Sequence, residues 1–132
     1  MRSFNLKVVT PDGLIYESEV ESLLVRTDDG DVEFLAGHID YMASLGTGRA
    51  RIKVNGEDKF ASVSGGFVTV KAGEVKLVAI TFEFRENIDV ERAIAARDTA
   101  KAQVSSSIDD KALKIAKAKL TRALNRIDVA EM

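Results

Sequence analysis

The chain has 132 residues, of which 45% are hydrophobic and 30% are charged, and its formal net charge is −2. These proportions are typical of a soluble globular protein with one domain, or with one domain and an appendage. The lack of a basic excess argues against nucleic-acid binding through the phosphate backbone. The chain has no cysteine, which excludes disulfides, a thiol nucleophile and a thiolate metal site.

The sequence predicts neither a membrane span nor a signal peptide. None of its apolar stretches approaches the ~20 residues that a helix needs to cross a bilayer. Residues 1–13, MRSFNLKVVTPDG, lack the apolar run of a signal peptide. We therefore expect a cytosolic protein with no direct membrane insertion, which leaves peripheral attachment to a membrane complex open.

Residues 1–86 are predicted to form a platform of short strands. Phe4–Thr10 alternates apolar and polar side chains, which is typical of a strand with one buried face. Residues 10–13 (TPDG) and Asn55-Gly56 are typical of tight turns, and Gly65-Gly66 predicts a bend or bulge. The other predicted strands are Leu14–Glu19, Leu23–Thr27, Val32–Leu35, Tyr41–Leu45, Arg49–Val54, Phe60–Ser64, Phe67–Lys71 and Val75–Phe84. Eight to ten strands at this spacing predict an antiparallel β-sandwich or flattened barrel.

Residues 87–132 are predicted to form two helices with one break. Asn87 and Asp89 are both possible N-caps of the first helix. Ser105–Ser107 marks the break, and we expect the second helix to begin at Ser107. The apolar stripes are Ala93, Ala96, Ala100 and Val104 on the first helix, and Leu113, Ala116, Leu120, Ala123 and Ile127, with Leu124 beside them, on the second. The short connection predicts an antiparallel hairpin, so that the fold class is α+β with domains 1–86 and 87–132.

The two helical stripes are rich in alanine and therefore contribute little apolar burial. This leaves two interpretations of the hairpin. In the first, the hairpin is permanently packed. In the second, it is marginal enough to open and bind elsewhere.

Charge is distributed unevenly between the two predicted domains. Residues 1–86 have a net charge of −4, and residues 87–132 have a net charge of +2. The basic side chains of the second helix are Lys111, Lys114, Lys117, Lys119, Arg122 and Arg126. This helix is therefore suited to an acidic partner or to a ligand that carries phosphate.

The platform contains no pattern typical of an active site. His38, the single histidine, would need a nucleophile or an acid beside it for catalysis, and we interpret it as a loop histidine that is hydrogen-bonded to backbone. Gly46 and Gly48 lack the lysine and hydroxyl residue of a phosphate-binding P-loop. No catalytic site and no metal site is predicted, and we interpret the platform as a docking surface.

Several motifs, taken in order, resemble those of one known family. Residues 10–13 (TPDG), Gly37-His38, Gly65-Gly66-Phe67 and the two-helix tail together resemble the epsilon subunit of bacterial ATP synthases, over essentially the whole chain. The resemblance implies a non-catalytic, regulatory or structural rotor subunit of the central stalk, which couples proton or sodium ion transport to ATP synthesis. It also implies a peripheral position at the cytoplasmic face of the cell membrane.

The resemblance further implies a set of partners. The sandwich would dock on the gamma subunit and on the ring of c subunits. The helices would extend toward the catalytic beta (and alpha) subunits and restrain ATP hydrolysis. The residues implied to bind partners are His38, Lys111, Lys114, Lys117, Arg122 and Arg126.

The resemblance also implies a nucleotide motif at the start of the first helix. The family pattern Ile/Leu-Asp-x-x-Arg-Ala stands here as residues 88–93, IDVERA. No cofactor is required, but regulatory ATP would be held by Glu83, Ile88, Asp89, Arg92, Ala93, Arg122 and Arg126. Thr99 stands where family members that bind ATP well carry a further arginine, and Arg97 lies on a different face of the helix.

Two alternatives remain open from the sequence. A solvated, salt-bridged helix face would also explain Arg92, Arg122 and Arg126. The whole chain could instead be a free-standing soluble module that binds or senses ATP without a rotor.

Overall fold

The computed structural model describes residues 2–132, so that Met1, which the predicted platform includes, lies outside the described residues. The described chain divides into two compact units, one ending at Phe84 and the other spanning Arg85–Met132. Strands make up the first unit and helices the second, which confirms the predicted fold class. The predicted boundary between residues 86 and 87 falls inside the short 3-10 helix Arg85–Asn87.

Within residues 2–132, eight strands form one continuous sheet. They are β1 (Phe4–Thr10), β2 (Gly13–Val20), β3 (Ser22–Thr27), β4 (Gly30–Leu35), β5 (Tyr41–Ser44), β6 (Gly48–Val54), β7 (Glu57–Lys71) and β8 (Glu74–Phe84). The strand order is β2-β1-β8-β7-β6-β3-β4, and β5 pairs with the part of β7 that β6 leaves open. Among these strands, β1 and β8 alone pair in parallel, which the hairpin pattern of the sequence did not predict.

The sheet folds over a single apolar core. Tyr16 pairs with Val8, and Val8 pairs with Leu77, whereas Phe84 lies seven residues further along β8, roughly 23 Å away in a straight strand. The rings of Tyr16 and Phe84 nevertheless lie 5.3 Å apart, so β8 must bend back across the core. The largest fully buried side chains include Phe34, Leu6, Leu23, Ile52 and Leu77.

The bend occurs where Gly65 and Gly66 lie in β7. Both residues have positive φ, and a Cβ on Gly66 would lie 1.9 Å from the carbonyl oxygen of Val78, so no residue with a side chain fits there. Ser64 pairs with Thr81 and Gly66 with Ala79, which shows that no extra residue is inserted. β7 is therefore one long bent strand, rather than the two short strands that the sequence predicted.

The second unit begins with the 3-10 helix Arg85–Asn87 and continues with α1 (Val90–Ser106) and α2 (Asp110–Ala130). Of the two predicted caps, Asp89 is the N-cap of α1. Asp109 is the N-cap of α2, and its Oδ1 accepts a hydrogen bond from the backbone N–H of Ala112 at 2.7 Å. The predicted start at Ser107 is wrong, because the Ser107 hydroxyl donates backward to the carbonyl of Gln103.

The two helices form an antiparallel hairpin, as predicted. They contact each other and are joined by only three residues, 107–109. Arg85 at the start of the unit donates a hydrogen bond from Nη1 to the carbonyl oxygen of Met132 at 2.7 Å. The first and last residues of this unit therefore meet at one end, which we call the base of the hairpin.

Alanine dominates the buried positions of both helices. Ala93 and Ala100 of α1 are buried, whereas Ala96 is exposed and Arg97 is half-buried in its place. The predicted stripe is wrong at Ala96, because the α1 residues that pack at the contact lie on the side of the helix that carries Arg97 instead. The α2 stripe is confirmed by Ala116, Ala123 and Ile127, which are buried, and by Leu113 and Leu120, which are half-buried; Val129 is also buried.

Candidate functional site

The predicted nucleotide motif builds the beginning of α1. The Asp89 carboxylate accepts a hydrogen bond from the backbone N–H of Arg92 at 3.1 Å, which caps the helix. Ile88 is 8% exposed and Ala93 is fully buried. These three residues therefore have a structural role, and the Arg92 side chain, which is exposed, is the part of the motif that remains available to a ligand.

The structure brings the three predicted arginines to one end of the hairpin. Arg92 lies in the first turn of α1, and Arg122 and Arg126 lie four residues apart on one face of α2, close to its C-terminal end. Both α2 arginines are half-buried. Since the start of α1 and the end of α2 meet at the base, we call Arg92, Arg122 and Arg126 the base arginines.

Two of the base arginines form no ion pair with any residue that the structure describes. Among residues 2–132, no ion pair involves the guanidinium group of Arg92 or of Arg122. This counts against the alternative of a salt-bridged helix face for these two. Planar guanidinium groups suit phosphate oxygens because they can donate two hydrogen bonds at once.

Two further predictions concern residues around the base. Glu83 lies near the end of β8, where it pairs with Ser62 and is half-buried; it belongs to the first unit, whereas the base arginines belong to the second. Thr99 is exposed. Arg97 forms an ion pair with Asp98 at 3.1 Å and lies along the packed stripe of α1, so that it does not take the place of an arginine at position 99.

The lysines of α2 lie on its solvent-exposed surface. Lys111, Lys114, Lys117 and Lys119 are all exposed, and none has an ion-pair partner among residues 2–132. The helix therefore presents four positive charges to solvent, in agreement with the basic character that the sequence indicates.

A groove that the sequence did not predict lies at the tip of the hairpin, where α1 ends and α2 begins. It has a volume of about 420 Å³ and is lined by Gln103, Ser106, Ser107, Ile108, Ala112, Ile115, Ala116 and Lys119. Ile108 is 93% exposed. The position of Ile108 between two helix-capping segments could have indicated this, because an apolar residue in a polar turn has no core to enter.

His38 is held in its loop by neighbouring groups. Its Nδ1 lies 2.7 Å from the carbonyl oxygen of Ile39, and its ring meets Phe34 and Tyr41 at centroid distances of 4.9 and 5.9 Å. These contacts confirm the interpretation of a loop histidine bonded to backbone. Beside it, Leu35 and Ile39 are largely exposed.

The sandwich carries an apolar row on an outer face. Leu14 pairs with Val9, Val9 with Val78, and Val78 with Phe67, so these four side chains lie side by side on one face of the sheet. Ile80, next along β8 on the same face, lies over Gly65. We call these five residues the outer apolar row.

Several members of the outer apolar row are open to solvent. The exposed fraction is 59% for Leu14, 41% for Phe67 and 65% for Ile80. A contiguous exposed apolar surface of this kind is typical of a protein–protein interface. The unbroken apolar run Leu77–Ile80 could have indicated this surface from the sequence. A strand with only one buried face should alternate apolar and polar residues, so such a run places apolar side chains on the outer face as well.

The described residues contain no sign of a metal centre or a membrane span. No group of three or more acidic or histidine side chains within residues 2–132 could hold a metal ion. No helix in this part of the chain has the length and apolar character required to cross a bilayer.

Comparison with known proteins identifies the family. Residues 3–85 match the beta-sandwich domain of the ATP synthase delta/epsilon chain, and residues 86–131 match its long alpha-helix domain. The chain belongs to the ATP synthase epsilon-chain family. A member from Bacillus subtilis (strain 168), the ATP synthase epsilon chain, is 42% identical over 130 residues, which cover 98% of each chain.

Solved structures support the same fold. A chain in the Euglena gracilis mitochondrial ATP synthase, resolved as OSCP/F1/c-ring, superposes with a TM-score of 0.84 at 25% identity, over 98% of this chain and 82% of that chain. A chain in the central stalk and c-ring of the Tetrahymena thermophila mitochondrial ATP synthase has a TM-score of 0.66 at 13% identity, over 98% and 97%. The two family domains and the Bacillus subtilis relative confirm the sequence-based resemblance to the epsilon family.

Proposed function

We propose that this chain is the epsilon subunit of the central stalk of an ATP synthase, where it takes part, without catalysing any step, in coupling proton or sodium ion transport to ATP synthesis. The observation that carries the proposal is the match of both units, in the family's order, along almost the whole chain. A peripheral position at the cytoplasmic face of the membrane follows from this role, with attachment through other subunits.

The outer apolar row is the surface that we assign to the gamma subunit. Its exposed side chains offer aromatic and aliphatic contact area on a rigid sheet, and an exposed apolar patch of this kind suits the buried centre of a protein–protein interface. Lys7 and Lys76, paired on the next row of the same face, would form the polar rim. The loop that carries His38, with Leu35 and Ile39 exposed, is a second docking point, which we assign to the c-subunit ring.

The hairpin is the part that we assign to regulation. The alanine-rich contact between α1 and α2 buries little apolar surface, so opening it costs little free energy. In an extended form, the exposed lysines of α2, with Arg122 and Arg126, would meet acidic surfaces of the catalytic beta (and alpha) subunits and restrain ATP hydrolysis. Charge complementarity of this kind favours fast and selective association.

Regulatory ATP would oppose this extension. The base arginines would donate to its phosphates only while the hairpin is closed, since only the closed form holds the start of α1 and the end of α2 at the same end of the hairpin. A ligand that binds one of two conformations shifts the population toward it. High ATP would then favour the closed, non-inhibitory form.

The docking role is tested by adding the full chain back to an ATP synthase that has been depleted of its epsilon subunit. We expect the chain to co-purify with the complex. Ile80→Asp, which places a charge in the outer apolar row, should co-purify poorly while its circular dichroism is unchanged. Binding of neither protein to a well-matched complex would contradict the rotor role and favour the soluble ATP-binding module.

A further inference from the structure

Arg85 connects the two ends of the helical unit. It is the first residue of that unit, and its Nη1 donates a hydrogen bond to the carbonyl oxygen of Met132 at 2.7 Å, across 47 positions of sequence. The 3-10 helix that contains Arg85 also contacts α2. The side chain is 37% exposed, and its Nη2 lies 3.9 Å from the Glu86 carboxylate.

A positive charge near the C-terminal end of α2 would stabilise this helix. The C-terminal end of a helix carries partial negative charge, which nearby positive groups stabilise. The last turn of α2 has no basic residue, and it contains Asp128, with Glu131 directly after it. Arg85 supplies from the beginning of the unit the positive charge that the end of the unit lacks.

This contact exists only while the hairpin is closed. If α2 moves away from α1, its C-terminal end leaves the base, and the bond from Arg85 to Met132 must break. The remaining contact between the helices consists of buried side chains, most of them small: Ala93, Ala100, Ala116 and Ala123, with Ile127 and Val129 near the end of α2. The charge-assisted hydrogen bond of Arg85 adds to this packing and joins the first and last residues of the unit directly.

We propose that Arg85 is a latch, a positioning residue that holds the end of α2 at the base and sets how often the hairpin opens. This latch acts without any ligand. Its effect on ATP hydrolysis rests on the proposed function, but its effect on hairpin opening does not. An experiment can therefore contradict the latch without contradicting the proposed function, and the reverse.

The latch is tested by native-state hydrogen exchange on the full chain without other subunits. In Arg85→Gln, the amides of the last two turns of α2, residues 123–130, should lose protection three- to tenfold, which corresponds to the net contribution of one typical intramolecular hydrogen bond. Arg85→Lys keeps the positive charge but not the planar guanidinium group, so the protection in this variant should lie between those of Arg85→Gln and the wild type. The control is Lys101→Gln, which removes an exposed positive charge of α1 that forms no ion pair within residues 2–132.

Two results would overturn the latch. The first is unchanged protection of residues 123–130 in Arg85→Gln. The second is an equal loss of protection in β8 and α2, which would show general destabilisation of the chain rather than release of the hairpin. Loss in α2 with β8 unchanged, together with wild-type protection in Lys101→Gln, is the result that the latch predicts.

Discussion

The sandwich and the hairpin are stabilised by different kinds of contact. The sandwich encloses one core of large side chains, among which Phe34, Leu6, Leu23, Ile52 and Leu77 are fully buried. The hairpin buries mainly alanine at the contact between its helices. Since the free energy gained on burial follows the apolar area removed from water, the first unit is suited to be a fixed platform and the second to be an element that opens.

One leucine substitution in each unit gives the largest expected difference between the units. Leu77→Ala removes a fully buried side chain from the sandwich and should lower its free energy of unfolding by about 2–5 kcal/mol. Leu124→Ala removes a side chain of α2 that is 39% exposed and should cost less than about 1 kcal/mol. Urea denaturation followed by tyrosine fluorescence measures the first change, and helical circular dichroism the second. Equal losses of unfolding free energy in the two variants would contradict the proposed difference in stability between the sandwich and the hairpin.

Phe67→Asp separates docking from folding. Phe67 is 41% exposed in the outer apolar row, so the folded chain should tolerate the charge. Docking on the depleted complex should weaken by about 2 kcal/mol, roughly 30-fold, because an apolar interface would have to bury a carboxylate. Surface plasmon resonance against the immobilised complex measures this effect. Glu17→Gln, on the rim of the same face, is the control, and wild-type affinity in Phe67→Asp would exclude the outer apolar row as the gamma contact.

Arg122→Gln tests the base arginines. It removes a half-buried guanidinium group that has no ion-pair partner in residues 2–132, and we expect Mg-ATP to bind about tenfold more weakly, which corresponds to about 1.4 kcal/mol. Calorimetric titration measures the affinity, and Lys101→Gln is the control. Thr99→Arg should strengthen binding. No heat from the wild-type chain at millimolar Mg-ATP would count against an ATP site.

Asp109→Ala gives the smallest expected effect. The Asp109 side chain caps α2, and its loss should destabilise the hairpin by about 1 kcal/mol. Asp110→Ala is the matched control, since Asp110 follows the cap. Hydrogen exchange should show faster opening in the first turn of α2 for Asp109→Ala only, and protection of the sandwich strands should stay unchanged. An equal effect of the two substitutions would contradict the assignment of the cap.

Features that depend on neighbouring residues could be predicted from the sequence. The alternation in Phe4–Thr10, the Asn55-Gly56 turn and the alanine stripes gave most strands and both helices, because each depends on a period or a turn type written in a few consecutive residues. The start of α2 was misplaced because Ser107 and Asp109 are both good caps, and only the backward hydrogen bond of Ser107 to Gln103 decides between them.

Features that depend on distant residues could not be predicted in this way. The parallel pairing of β1 with β8 joins residues about 70 positions apart, and no local pattern specifies it. The outer apolar row depends on that same pairing, since it places Val9 beside Val78. The placement of the base arginines at one end of the hairpin likewise requires the hairpin to close, although each arginine was identified from its motif.

The most direct test of the division into a docking sandwich and a regulatory hairpin is ATP hydrolysis by an epsilon-depleted ATP synthase, with either the full chain or residues 1–86 added back. We expect both proteins to bind, and only the full chain to slow hydrolysis. Circular dichroism verifies that the shorter protein retains its strands. Equal inhibition by both proteins would contradict the account, because it would place the regulatory contact in the sandwich, and binding without inhibition by either would leave the hairpin without the regulatory role that we propose.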